Sequence, residues 1–199
     1  LGAADRRELT MTALDEARRL DRYVQNLLDM TRLGHGALAP KRAAVDLREI
    51  LGVVRTDLER VLARHRLVIE TPRDLPPLHV DPVLIGQAIA NIVENAAKYA
   101  PAGTSITIAA RADGAMAEIA VTDEGPGIPE AERERVFDLF HRVAEGDSRP
   151  AGTGLGLSIV RGLVEAHGGT VRAEAGPGGR GAAIVIRLPF APACSDLSE

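Results

Sequence analysis

Gln87-Ala-Ile-Ala-Asn-Ile-Val-Glu-Asn-Ala-Ala-Lys-Tyr99 decides the reading of this chain. At about 100° per residue it predicts a helix with Gln87, Asn91, Asn95, Lys98 and Tyr99 on one side. Ile85, Ile89, Ile92, Val93 and Ala96 fall on the other, an ordinary core face. The polar side is unusual. Asparagine is a weak helix former, and solvation does not ask for it twice, one turn apart. A magnesium–phosphate site does ask for such groups: amide oxygens for a hard cation, an ammonium for phosphate and a ring for a base. Taken alone, the segment fits equally well a polar face bonded to a neighbouring loop.

Working outward, Asp81-Pro82 predicts the helix start, a capping carboxylate followed by proline at the first position, and Pro101-Ala-Gly103 its end. Upstream, Leu9, Ala13, Ala17, Leu20, Val24, Leu27 and Thr31 recur at spacings alternating between about four and three residues. Residues 5–33 therefore predict one long helix with a narrow bundle or coiled-coil seam, ended by Gly34-His-Gly36 and Pro40. A short strand is expected at 43–46, a helix capped by Asp46 over 47–64 with Leu47, Ile50, Leu51, Val54, Leu58 and Val61 inward, and strands at 67–71 and 78–80.

Downstream, strands at 105–112 and 116–122 flank an Asp113-Gly114 hairpin turn. A short helix over 130–140, an irregular polar stretch over 141–152, a helix to about His167 and strands at 170–175 and 182–188 follow. The tail is expected to fray from Pro189. The expected fold class is α+β, a two-layer α/β sandwich with one mixed sheet and one layer of helices, preceded by one long bundle-type helix. The expected division is 1–38, 39–190 and a flexible tail 191–199.

The chain has 199 residues, 45% hydrophobic and 26% charged, with a net charge of −4. That suits one domain with an appendage or two small domains, and disfavours nucleic acid as a partner. No apolar run approaches the roughly 18 residues of a membrane span, and no signal-peptide pattern opens the chain. The polypeptide is expected to be soluble and, beginning without Met, to be a piece of something longer. The single cysteine, Cys194, suits a reducing cytosol, and no zinc spacing is present. Only two of the 24 basic residues are lysines, Lys41 and Lys98, so a compact ammonium inside the deciding helix is informative.

Three further motifs follow the helix. Asp123-Glu-Gly-Pro-Gly127 stands just past a strand end, where its glycines let backbone approach a ligand and its aspartate can accept from an exocyclic amine. Alone, a plain Gly-Pro-Gly turn explains it better. Gly152-Thr-Gly-Leu-Gly156, opening a helix, offers N–H groups and a positive dipole end to phosphate. It is neither a dinucleotide fingerprint, since no buried strand precedes it, nor a P-loop, since the Gly-Lys-Ser/Thr ending is absent. Phe137-x-x-Phe140 has one turn of spacing, which core packing of a short helix explains. Arg142 and Arg149 are placed to close on a phosphate, although surface arginines are more often simply solvated.

In this order, Asn91-x-x-x-Asn95-Ala-Ala-Lys-Tyr99, Asp123-x-Gly125-x-Gly127, Phe137-x-x-Phe140 and Gly152-Thr-Gly-Leu-Gly-Leu157 resemble the N, G1, F and G2 boxes of sensor histidine kinases. The fold implied is the ATP-binding fold shared with gyrase, Hsp90 and MutL. The resemblance covers about residues 45–190, and residues 5–36 look like the second helix of the family's dimerisation and phosphotransfer hairpin. Within the family, Val80-Asp-Pro-Val-Leu-Ile85 and Glu94-Asn-Ala-Ala-Lys-Tyr-Ala100 look similar to the potassium-responsive Kdp type, which implies potassium or osmotic signalling.

Carried over residue by residue, the resemblance implies ATP and Mg²⁺ as ligands. Asn95 would hold the magnesium, with Asn91 near the phosphates, Lys98 on a phosphate and Tyr99 stacked on adenine. Asp123 would receive the adenine amine, with Gly125 and Gly127 shaping that end. Gly152, Thr153, Gly154, Leu155 and Gly156 would line the triphosphate side, with Arg142 beside them. The partners implied are a response regulator and a second copy of the chain, joined through the N-terminal helix. The location implied is cytoplasmic, with membrane attachment only through a missing part of the parent protein.

The family's phosphoacceptor lies in a His-Glu/Asp-x-x-x-Pro pattern, and none of His35, His65, His79, His141 and His167 has that context. All five are expected to be structural or solvated, and this chain alone is not expected to autophosphorylate. Gln87 stands where an acidic residue often precedes the first box, so it receives no catalytic role. Two other readings stay open at this stage. One is a gyrase/MutL-type ATPase or anti-sigma serine kinase, with Glu94 as the general-base candidate on the ATPase reading. The other is a non-catalytic nucleotide-binding module.

Overall fold

The computed structural model describes residues 2, 10, 39–143 and 154–192. The chain divides into two units, Leu1–Leu38 and Ala39–Glu199. The long helix expected over 5–33, apart from Thr10, residues 144–153 and the tail 193–199 lie outside the described residues.

Within the second unit the elements run β1 (Ala43–Val45), α1 (Leu47–Asp57), β2 (Arg66–Glu70), β3 (Leu78–Val80), α2 (Pro82–Tyr99), β4 (Ser105–Asp113), β5 (Met116–Thr122), α3 (Gly156–Ala166), β6 (Thr170–Ala175) and β7 (Ala182–Pro189). The main sheet has the order β2-β4-β5-β7-β6, with β2 parallel to β4 and the other pairs antiparallel. Two-residue alternation sends Ile106 and Ile108 of β4, Ala117, Ile119 and Val121 of β5, and Ile184, Ile186 and Leu188 of β7 to one buried face. Helices α2 and α3 pack on that face and against each other. The opposite face is charged. There Glu118 accepts from Arg111 Nε at 2.9 Å and Arg172 Nη2 at 3.0 Å. These arginines hold its carboxyl below the usual carboxylate range. The mixed sheet under a helix layer is the α+β sandwich that the sequence predicts.

Helix α2 starts as its sequence dictates: Asp81 Oδ1 accepts from Val83 N at 3.1 Å and Leu84 N at 3.3 Å, and Pro82 occupies the first turn. Ile85, Ala88, Ile89, Ile92, Val93 and Ala96 form its buried stripe. Strands β1 and β3 pair as a separate two-stranded sheet, and Leu78 bridges to Phe190 just past β7.

Four local expectations need correction. Helix α1 ends at Asp57, and a 3₁₀ turn at Val61–Arg64 follows; the tighter winding shifts the phase, so Leu62 is buried and Val61 is only half-buried. The turn between β4 and β5 is Gly114-Ala115, one residue later than expected. Gly114, at φ 62°, occupies the first central position as a II′ hairpin requires. The helix expected over 130–140 is two 3₁₀ turns, Glu130–Glu132 and Arg135–Phe137. Phe137 is buried but Phe140, at φ 61°, is 67% exposed, so core packing accounts for the first and not the second. Lastly, Pro189 belongs to β7, Phe190 N donates to Ala115 O at 3.2 Å and Ala191 N to Pro77 O at 2.8 Å. These bonds hold the chain past the point where fraying is expected.

His167 is fully buried, and burial lowers its pKa below the ordinary value of 6.5. The unfolded chain then binds the extra proton more readily than the folded one, so this stability is present above that value. It is lost as pH falls through the folded pKa. Melting temperatures measured from about pH 7.5 down to about pH 5 should fall, and the part owed to this ring should vanish in His167→Gln.

Candidate functional site

The polar side of α2 meets two other segments. The first is the start of α3. A Cβ built on Gly156 would lie 3.4 Å from Asn95 Nδ2 and 4.0 Å from Asn95 Oδ1, so the Asn95 amide faces the first turn of that helix. No side chain caps this start, where Leu155 stands at the capping position. Its first N–H groups therefore point outward with a partial positive charge. One turn back on α2, Asn91 Nδ2 is buried with no hydrogen-bond partner. A buried amide left in this state costs on the order of 1–3 kcal/mol, an arrangement that asks for an external acceptor.

Asn91→Ala should therefore raise the melting temperature of the ligand-free chain by a few degrees while weakening binding of the site's anionic ligand. Thermal denaturation beside a binding titration checks both signs.

The second segment is the loop after β5. Asp123 Oδ1 accepts from Gly125 N at 2.7 Å and from Ala182 N at 3.3 Å, and Asp123 N donates to Ala182 O at 2.9 Å. Both bonds that this carboxylate accepts fall on Oδ1, which leaves Oδ2 for a donor from outside. Burial raises the Asp123 pKa above the usual carboxylate range, against the opposing effect of the two backbone bonds. A Cβ on Gly125 would lie 3.1 Å from Tyr99 O, and one on Gly127 2.9 Å from Gly181 O. The loop is thus wedged between the C-terminal end of α2 and the turn that enters β7. Asn95 and Tyr99 are four residues apart, about 6 Å along the helix, so the two ends of the site are close neighbours.

Lys98 Nζ lies 3.2 Å from Tyr99 Oη and 4.8 Å from the ring centroid. The cation and the ring therefore pair with each other on the rim. Arg142 is exposed, Leu155 is buried, and Gly152, Thr153 and Arg149 lie outside the described residues. Gly154 joins two of the motifs: at φ 71° its carbonyl accepts from Phe140 N at 3.2 Å, and a Cβ there would lie 2.8 Å from Phe140 C.

Sequence reasoning missed two contributors. Gly181 and Ala182 supply the backbone against which Asp123 rests, and their signal was a run of glycines ahead of a strand. His141 Nε2 lies 2.5 Å from Glu132 Oε2, a pairing with no local signature. Among the described residues no three His, Cys, Asp or Glu side chains gather as a metal cage. The donors here suit Mg²⁺ all the same, because that ion is commonly held by few protein oxygens together with a ligand's phosphates and water. The Asn95 amide beside an uncapped helix start and the orphaned Asn91 amide fit that pattern.

The family model described as histidine kinase-, DNA gyrase B- and HSP90-like ATPase matches residues 80–192. The chain belongs to this family. Sensor protein KdpD of Escherichia coli (strain K12) is 38% identical over 168 residues, which is 84% of this chain and 18% of KdpD. The sensor-like histidine kinase SenX3 of Mycobacterium tuberculosis (strain ATCC 25618 / H37Rv) is 37% identical over 192 residues, 92% of this chain and 45% of SenX3. Among solved structures, the mycobacterial sensor histidine kinase MprB is similar with a TM-score of 0.65 at 34% identity, over 76% of this chain and 99% of that one. Full-length ShkA in complex with AMPPNP gives 0.77 at 32% identity, over 97% of this chain and 40% of that one. The chain thus spans 18% of KdpD and 45% of SenX3. The matched region is an ATP-binding catalytic domain of the histidine kinase type. Among the described residues no helix is long and apolar enough to cross a membrane.

Proposed function

We propose that this chain holds ATP with Mg²⁺ and presents the γ-phosphoryl to a histidine nitrogen outside these 199 residues, from which it passes to an aspartate of a response regulator. One observation carries the reading. A single helix, α2, has at its end a half-buried carboxylate with an open oxygen, one turn away the Asn95 amide facing an uncapped helix start, and a further turn back the unpartnered Asn91 Nδ2. Asp123 Oδ2 accepts the adenine amine, and Tyr99 offers its ring to the base. Asn91, Lys98 and the first N–H groups of α3 take the phosphates. Asn95 holds the cation, whose charge offsets that of the phosphoryl oxygens. An imidazole is mostly neutral near pH 7 and attacks phosphorus without a strong base, so holding the donor in line is the main demand on this fold.

The seam over residues 9–31 supports pairing of the whole protein with a second copy of itself as a four-helix bundle, of which this chain carries one helix per copy. The likeness to KdpD supports a place in potassium or osmotic signalling, in the cytoplasmic part of a membrane-bound parent. The test is to incubate purified chain with γ-³²P-ATP, alone and with a histidine-bearing dimerisation hairpin of the family. The expected result is no acid-labile label on this chain, label on the hairpin's histidine, and no sustained phosphate release. Phosphate release that disappears in Glu94→Ala would establish an ATPase instead.

A further inference from the structure

His167 is used at both ring nitrogens. Nδ1 lies 2.7 Å from Leu163 O and donates to it, closing a carbonyl that the last turn of α3 leaves open. Nε2 lies 3.0 Å from Asp81 N and accepts from it. Only the neutral ring protonated at Nδ1 can do both. Asp81 is the residue that caps α2 through Val83 N and Leu84 N, so one imidazole ties the C-terminal end of α3 to the N-terminal end of α2. The opposite end of α3 is Gly156, set against Asn95. The two helices therefore run antiparallel and touch the site at one end and His167 at the other. Arg42 Nη2 donates to Ala166 O at 2.7 Å and reinforces the same turn. The charged and titratable groups facing the ring are Arg42, Asp81 and His79, of which Asp81 alone favours its protonation.

We propose that His167 is a positioning residue for the phosphate end of the site. By bonding both helices it sets where α3 lies along α2, and hence where the N–H groups at Gly156 stand relative to the Asn91 and Asn95 amides. An 11-residue helix is about 16 Å long and stiff, so a slip at one end is carried to the other. The adenine end, built from Asp123, Gly125 and Ala182, makes no bond to this ring. The inference rests on the reading of the α3 start as the phosphate end.

The two ends can be separated by ligand. Affinities for Mg²⁺·ATP and for adenosine are measured on the chain of residues 1–199 and on His167→Phe, which keeps the ring volume and removes both bonds. The expected result is ATP binding weakened about tenfold with adenosine binding changed less than about twofold. Equal loss of both ligands, or unchanged ATP affinity in a folded variant, overturns the proposal. If His167→Phe does not fold, His167→Asn keeps a donor toward Leu163 O, drops the reach to Asp81 and reads the same ratio. Wild-type chain binding ATP no more tightly than adenosine would instead overturn the reading of the phosphate end itself.

Discussion

Asn95→Ala is expected to lower affinity for Mg²⁺·ATP about a hundredfold, on the order of 3 kcal/mol, without lowering the melting temperature. The two effects separate because of where the residue sits. Asn95 is only half-buried, on the side of α2 away from the apolar stripe, and alanine is the better helix former. Its amide faces Gly156, where a developing phosphate contact would need both a cation ligand and a free helix start. If Asn95 holds the cation as proposed, removing its oxygen takes away the protein's share of the coordination, which neither Asn91 nor Lys98 would replace at that position. A titration with and without Mg²⁺ checks this: the variant should lose the Mg²⁺-dependent part of the affinity. Undiminished Mg²⁺-dependent binding would revive the reading of a non-catalytic module.

Gly181→Ala should be the most damaging single-methyl change to both fold and site. At φ 69° a Cβ would lie 1.8 Å from Asp123 O and 2.7 Å from Asp123 C, which is backbone that cannot yield without moving the loop. Left-handed backbone at a residue with a Cβ adds about 1–2 kcal/mol, and forced repacking about 1–3 kcal/mol more. A total near 3 kcal/mol corresponds to a melting temperature lower by roughly 10 °C for a domain of this size. Any relief moves Asp123 away from Ala182 N, so ATP affinity should fall even where the variant stays folded. Melting curves together with ATP titration at a temperature below the transition check both parts.

The fold was legible where burial imposes a period. The stripe from Ile85 to Ala96 and the alternation along β4, β5 and β7 follow directly from one face being removed from water. The start of α2 was equally clear, because Asp-Pro caps a helix by local bonds alone. The stretch from Glu130 to Phe140 was not. Its end is tied by the bond from Phe140 N to Gly154 O, between residues far apart in the chain, and no periodicity announces a contact of that kind. Gly181 and His167 were illegible for the same reason. One is recognised only once Asp123 is beside it, and the other only once Asp81, 86 residues away, has reached its ring. Of the candidate site, the residue types were readable in the sequence. Their meeting was not: Asn95 against Gly156, and Asp123 beside the end of α2, are products of tertiary packing.

The central claim is an adenine nucleotide held between Asp123 and the start of α3. Calorimetric titration of the chain with ATP and with GTP, both with Mg²⁺, tests it most directly. Adenine presents an amine at C6 where guanine presents a carbonyl oxygen, so in the same pose ATP donates to Asp123 Oδ2 and GTP sets an acceptor against it. The expected result is saturable ATP binding, with GTP at least about tenfold weaker. Equal binding of the two nucleotides, or no binding of ATP, would contradict the account.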